Sequence, residues 1–261
     1  MFSLTPIVRN LLILNIVFFI VDAYIVNLTP GFALYSLKSP AFLPFQFVTY
    51  MFLHGNIGHI FSNMFGLIIF GPMLERIWGA RRFLIFYFVT GIGAGLLFSA
   101  IDYFETSQLQ DAVNVYLQYP TPEGLVDFMS QHAKGLYQAN LDFLNNFEES
   151  PKDPRYIQDS VNFVQGFYQQ QVNVPMVGAS GAIFGILMAF GLLFPNTELF
   201  LLFFPFPIKA KYFVAFYGLY ELYAGIQNAQ SDNVAHFAHL GGMLFAFILL
   251  RLWGSDRNKF Y

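Results

Sequence analysis

Long apolar runs recur along this chain, and they leave few folds open. Six segments are apolar enough to cross a bilayer as helices, at about residues 8–26, 60–78, 83–100, 176–194, 212–226 and 238–250. A span needs about 20 mostly apolar residues, with a lower limit near 17. The fifth and sixth runs reach that length only by drawing on residues 208–211 and on Trp253. Charge agrees with this reading. Asp, Glu, Lys and Arg make up 11% of the 261 residues, where a soluble domain carries roughly 25%. The expectation is an all-α, polytopic membrane protein with the lipid bilayer as its solvent. Its first helix is expected to be retained, because no small-x-small cleavage site follows the N-terminal run. The net charge of −3 comes with no basic patch, so nothing points to a nucleic-acid partner. Cysteine is absent, which removes disulfides, thiolate metal ligands and a cysteine nucleophile.

Basic residues set the expected orientation. Arg9, then Arg76, Arg81 and Arg82, then Lys209 and Lys211, then Arg251, Arg257 and Lys259 all fall on one side of a six-span chain. Cytoplasmic loops carry the excess of Lys and Arg, so that side is the cytoplasm and both termini lie inside. A compact six-span chain of this kind suits a cell (plasma) membrane. Residues 101–174 break the apolar pattern and hold 10 of the 16 Asp and Glu residues. Leu136, Ala139, Asn140, Phe143 and Leu144 recur there at helical spacing, which predicts short amphipathic helices. The expected organisation is a membrane part over 1–100 with spans one to three, a helical extracytoplasmic insertion over 101–174 between helices 3 and 4, and a membrane part over 175–261 with spans four to six.

Polar residues inside membrane helices cost free energy and tend to serve a function. Three clusters stand out. HGNIGHIFSNMFG, residues 54–66, carries His54, then His59 and Asn63 four apart on one helix face. VGASGAIFG, residues 177–185, places Ser180 between Gly178 and Gly181. HFAHLGGMLFA, residues 236–246, opens on His236 and His239 and continues through Gly241 and Gly242. Each has a plainer explanation: small residues pack membrane helices closely, and a lone Asn bonds across helices. What joins the clusters is that all three begin a helix at the same expected membrane face.

A serine hydroxyl is a poor nucleophile until a base takes its proton. Imidazole can take that proton and return it to a leaving amine. A tetrahedral intermediate also needs donors aimed at its oxyanion. The Ser180 backbone N–H, near a helix start, and the Asn63 and His59 side chains are candidates. Gly241 and Gly242 are expected to let the sixth helix approach the fourth closely enough for Ser180 to meet His239.

These motifs together resemble the signature of the rhomboid intramembrane serine proteases, over about residues 45–100 and 175–253. The resemblance implies a six transmembrane helix bundle, Ser180 as nucleophile and His239 as base, with Gly242 in the glycine place of the Ala-His-x-x-Gly motif. It implies His59 and Asn63 as oxyanion donors, His54 as a site-shaping residue, and Phe184 packed against the catalytic imidazole. ERIWG, residues 75–79, resembles the family's Glu-x-x-x-Gly region. The implied substrates are single-span transmembrane proteins, cut in or beside their helix, with no cofactor and no metal. Loop 27–44 departs from the family in lacking its Trp-Arg pair, and the acidic insertion is unusually long.

No acidic residue is expected to orient His239. Asp232 lies seven residues before it in a polar loop, so the expectation is a Ser–His dyad, with His239 held by packing against Phe184 and by the serine itself. Glu75, Glu198 and Glu221 lie near helix ends or apart, which counts against charges lining a channel. Residues 227–233 are the expected gate and the fifth helix, with Phe213 and Phe216, the expected lateral door. Three competitors remain in view: a silent relative that binds clients, a metal enzyme built on the histidines without an HExxH motif, and a channel.

Overall fold

The computed structural model describes residues 4–200, 206–227 and 234–254. Asp232, Arg257, Lys259 and residues 228–233 of the expected gate lie outside the described residues. In chain order the main helices are α1 Pro6–Tyr24, α2 Ile57–Gln118, α3 Pro122–His132, α4 Leu141–Glu149, α5 Pro154–Val172, α6 Ser180–Leu193, α7 Ala210–Gln227 and α8 His236–Leu252. A two-residue antiparallel pairing, Glu198 opposite Lys209 and Leu199 opposite Ile208, leads into α7. The chain divides into two units. One draws on Met1–Leu34, Ala41–Ser99 and Pro175–Tyr261, the other on Tyr35–Pro40 and Ala100–Val174.

The first unit is built around α6, whose residues from Gly181 to Gly191 are almost all buried. Its outward faces are apolar. Ile13, Ile16, Val17 and Ile20 of α1, and Phe216, Leu219 and Tyr223 of α7, are exposed. Soluble monomers rarely show apolar patches of that extent, whereas a lipid-facing helix requires them. By length and composition α1 and α2 are able to cross a membrane, and α6 and α8 are shorter apolar helices. The second and third apolar runs both fall in α2, separated by Gly79 at φ 76, ψ 162. Only glycine adopts such a conformation without strain, so Gly79 ends one run and starts the next.

Glu75, one turn before Gly79, fixes the start of α1. The Ile7 and Val8 N–H groups donate to its Oε1 and Oε2, each at 3.0 Å. The first N–H groups of any helix lack intrahelical acceptors, and α1 has no acidic residue in its own first turn. A buried carboxylate from another helix therefore serves as its cap. Loop 27–44 is held by two further side chains. Asp22 Oδ1 accepts from the Leu28 and Thr29 N–H groups at 2.6 and 3.0 Å. Buried Gln46 donates to the Ala41 carbonyl at 2.9 Å and accepts from the Leu43 N–H at 3.1 Å.

The second unit has its own apolar core, with Leu109, Val113, Tyr116, Leu125, Phe128, Met129, Leu144, Phe147 and Val164 buried. Tyr116 donates to Ser160 Oγ at 2.6 Å inside it. Pro122 and Pro154 open α3 and α5 behind N-caps Thr121 and Asp153. Segment 35–40 joins this unit through Lys38, which donates to Gln110 Oε1 at 2.7 Å, and through Ser39, which donates to Asn173 Oδ1 at 2.6 Å.

Two expectations change here. Helix does not stop where the chain turns polar near residue 101, since α2 runs on to Gln118. The stripe from Leu136 to Leu144 is not one helix face either. A 3₁₀ turn at Gln138–Asn140 shifts its phase. Of its members only Leu144 is buried, while Leu136 and Ala139 are exposed.

Removing the Glu75 cap leaves two N–H donors without an acceptor, a loss of about 1–3 kcal/mol for a buried group. Glu75→Ala is therefore expected to melt at a clearly lower temperature than the parent in detergent, and an unchanged melting temperature would count against the capping role.

Candidate active site

Ser180 is the first residue of α6, and its position follows from the turn before it. Gly178 sits at φ +129, a conformation side chains disfavour. Its N–H donates to the Tyr50 carbonyl at 2.9 Å, while the Tyr50 hydroxyl donates to the Gly91 carbonyl at 2.7 Å. This pins the turn to α2. A Cβ on Gly178 would come within 2.6 Å of the His59 ring, so the imidazole lies directly against that backbone.

His239 stands in the first turn of α8, with its Nε2 2.9 Å from Ser180 Oγ. The two helices approach closely because neither carries a side chain at the crossing. A Cβ on Gly242 would collide with the Gly181 carbonyl. Gly241, expected to serve the same contact, faces Gly93 and Ala94 of α2 instead. The Phe184 ring stacks on the His239 imidazole at 4.0 Å between centroids and 7° between planes. Tyr217 of α7 meets the other partner of that stack, edge-on to Phe184 at 4.8 Å.

The sequence reading of the acidic residues is corrected by α7. Glu221 is buried, and its Oε2 lies 2.8 Å from His239 Nδ1 and 2.6 Å from His236 Nδ1. A carboxylate does therefore lie beside the histidines. Its signal was present in the sequence: a lone charge inside the apolar segment YGLYELYAG. The ligand atoms of Glu221, His236 and His239 all lie within 4.8 Å of one another. Two imidazoles and a carboxylate suit a zinc-type ion in kind, although here the Nδ1 atoms are engaged by the Glu221 oxygen.

His59 and Asn63 share one face of α2. Asn63 is buried, and its Nδ2 has no hydrogen-bond partner among the described residues. A buried amide donor without a partner is costly, and it is the kind of group an oxyanion can accept from. His54 is also buried, its ring 5.1 Å from that of His59, and neither of its nitrogens has a hydrogen-bond partner among the described residues. Ring contacts pair the four expected histidines as His54 with His59 and His236 with His239.

Such a site defines a helical membrane protein with a serine–histidine pair at the start of two tightly crossed helices. The Rhomboid domain family matches residues 43–109 and 160–255, more than half of the sequence, and the chain belongs to that family. An uncharacterised mitochondrial rhomboid protein of Schizosaccharomyces pombe is 26% identical over 213 residues, 79% of this chain and 50% of that protein. Chloroplastic Rhomboid-like protein 11 of Arabidopsis thaliana is 43% identical over 53 residues, 20% of this chain and 19% of its own length. The mitochondrial RHOMBOID-like protein 6 of the same plant is 40% identical over 52 residues, covering 20% and 17%. The chain thus spans about half the length of the fission-yeast relative and under a fifth of each plant relative.

The Gly242 crossing yields a direct expectation. Gly242→Ala forces α8 off α6 and is expected to cost about 1–3 kcal/mol, as overpacking does. Gly166→Ala in α5, where a Cβ meets nothing within 4 Å, serves as the control and is expected to be neutral or slightly stabilising. Equal melting temperatures for the two variants would refute the close crossing.

Proposed function

We propose that this rhomboid is an intramembrane serine endopeptidase acting through Ser180 and His239. The 2.9 Å approach of His239 Nε2 to Ser180 Oγ carries this reading. His239 takes the hydroxyl proton as Ser180 Oγ attacks a substrate carbonyl carbon. The developing oxyanion is met by Asn63 Nδ2, the His59 side chain and the Ser180 N–H. His239 then passes the proton to the leaving amine, and water hydrolyses the acyl-enzyme by the same steps in reverse. Gly178, Gly181, Gly242, Phe184 and His54 shape the site.

The substrates are single-span membrane proteins. Their helix must unwind locally, because a hydrogen-bonded helical backbone hides the scissile carbonyl. The bundle has six spans, with residues 101–174 extracytoplasmic and both termini cytoplasmic; the one-sided distribution of Lys and Arg supports this orientation. The compact six-span chain suits a plasma membrane, while the relatives above carry mitochondrial and chloroplastic names. A shallow apolar pocket lined by Ile208 and by Phe213, Phe216 and Tyr217 of α7 supports entry of a substrate helix at that face.

Cleavage of a generic single-span substrate in liposomes tests the reading. Ser180→Ala and His239→Ala are expected to abolish cleavage, and a chelator is expected to leave it unchanged. Asn63→Ala is expected to lower kcat by about 10²–10³ with little change in KM, the usual effect of losing one oxyanion donor. Full activity in Ser180→Ala would refute the serine mechanism. Activity lost to chelator and restored by zinc would transfer the chemistry to the Glu221, His236 and His239 cluster.

A further inference from the structure

We propose that Glu221 is a positioning carboxylate that turns the Ser180–His239 pair into a three-residue array, with His236 anchoring the same carboxylate oxygen from a second direction. The proposal rests on the serine-protease reading above and names Glu221, a residue outside the sequence motifs. Its basis is geometric. Ser180 Oγ, His239 and Glu221 Oε2 lie in series, with contacts of 2.9 Å at Nε2 and 2.8 Å at Nδ1.

A carboxylate on the Nδ1 side has one chemical consequence. Ionised, it only accepts hydrogen bonds, so the nitrogen facing it must carry the proton. A neutral imidazole bears one N–H. With that N–H at Nδ1, the Nε2 lone pair of His239 is left to face the serine hydroxyl. The opposite tautomer would present an N–H to Ser180 and could not accept its proton. Phe184 fixes the plane of the ring by stacking, but stacking does not choose between tautomers. Glu221 does. When His239 becomes imidazolium during the reaction, the same carboxylate lies beside the new charge.

Burial strengthens the argument. Glu221 has a side-chain exposure of 3%, and the other charged residue of its helix, Lys211, stands in the first turn. Buried or intramembrane charge persists where it is paired, and it tends to mark function. His236 supplies the second pairing at 2.6 Å. Its three-residue separation from His239 puts both rings on one side of the first turn of α8. Their planes stand at 86° to each other, so two N–H groups reach Oε2 along different directions. An oxygen gripped in this way has little freedom to swing away from His239.

The test uses the full chain in detergent or liposomes, with substrate cleavage, fluorophosphonate labelling of Ser180 and ¹⁵N-histidine spectra. Glu221→Gln keeps the shape of the side chain but offers His239 a donor as well as an acceptor. It is expected to lower kcat by at least about 10² with KM within about twofold; removing a triad carboxylate elsewhere costs about 10⁴. Labelling of Ser180 should slow in parallel, and the melting temperature should stay close to that of the parent. Glu221→Asp should recover part of the lost rate. His236→Phe should fall between parent and Glu221→Gln, since the carboxylate keeps one of its two donors. Spectra of the unsubstituted chain at neutral pH should show His239 protonated at Nδ1. Parent-like kcat and labelling in Glu221→Gln would overturn the proposal, as would a loss confined to KM or to melting. Should Glu221→Gln fail to fold, the spectra decide, because a His239 proton resident on Nε2 refutes the role outright. Ser180→Ala separates the two readings. A dead Ser180→Ala beside a fully active Glu221→Gln sinks only the carboxylate's role, whereas an active Ser180→Ala sinks the serine mechanism itself.

Discussion

The contact between Gly181 and Gly242 governs the first unit. At that crossing the backbone of α8 rests on a carbonyl of α6, with no room for a single methyl group. The distance between Ser180 and His239 descends from it. Ser180 is the residue before Gly181, and His239 lies three before Gly242, so fixing one pair of α-carbons brings hydroxyl and imidazole into register. Helices in lipid gain no hydrophobic stabilisation from burying apolar surface against each other, because the surrounding tails are as apolar as leucine. Close packing of small residues is what remains to hold them. The same glycines therefore serve association and geometry at once.

Around that crossing, single polar side chains do what hydrophobic patterning cannot. Glu75 caps α1 from another helix. Gln46 and Asp22 each tie down parts of loop 27–44. Glu221 links α7 to α8 through two imidazoles. Apolar faces that look onto lipid carry no information about which neighbour to choose, whereas a buried carboxylate is specific about its partner. The second unit follows the opposite logic, that of a soluble domain, with an apolar core and capped amphipathic helices.

Much of the site was legible in the sequence because its parts are local. His59 and Asn63 are one turn apart, Gly178 and Gly181 lie within two residues of Ser180, and Phe184 lies one turn beyond the serine on the same face. What could not be read was the partner of His239. Glu221 is 18 residues away on another helix, and nothing in spacing alone says which faces of α7 and α8 meet. Its charge within an apolar run was a usable sign that the sequence reading set aside. The end of α2 was misjudged for a different reason. A shift from apolar to polar composition marks where the environment changes, but helix propensity is indifferent to that change, so the hydrogen-bonded backbone continues. The stripe at Leu136–Leu144 misled because periodicity assumes a constant turn angle, and one 3₁₀ turn resets it.

Tyr217 and Glu221 are four residues apart on α7, and they touch the two supports of one ring. Tyr217 backs the phenyl group stacked on His239, and Glu221 holds its Nδ1. Phe184 itself belongs to α6, so what α7 contributes is the carboxylate and the ring behind the stack. Any displacement of α7 would draw away the carboxylate and the Tyr217 ring together. Under the serine mechanism proposed above, such a wall acts as an interlock, because the base is set only while α7 stands against it.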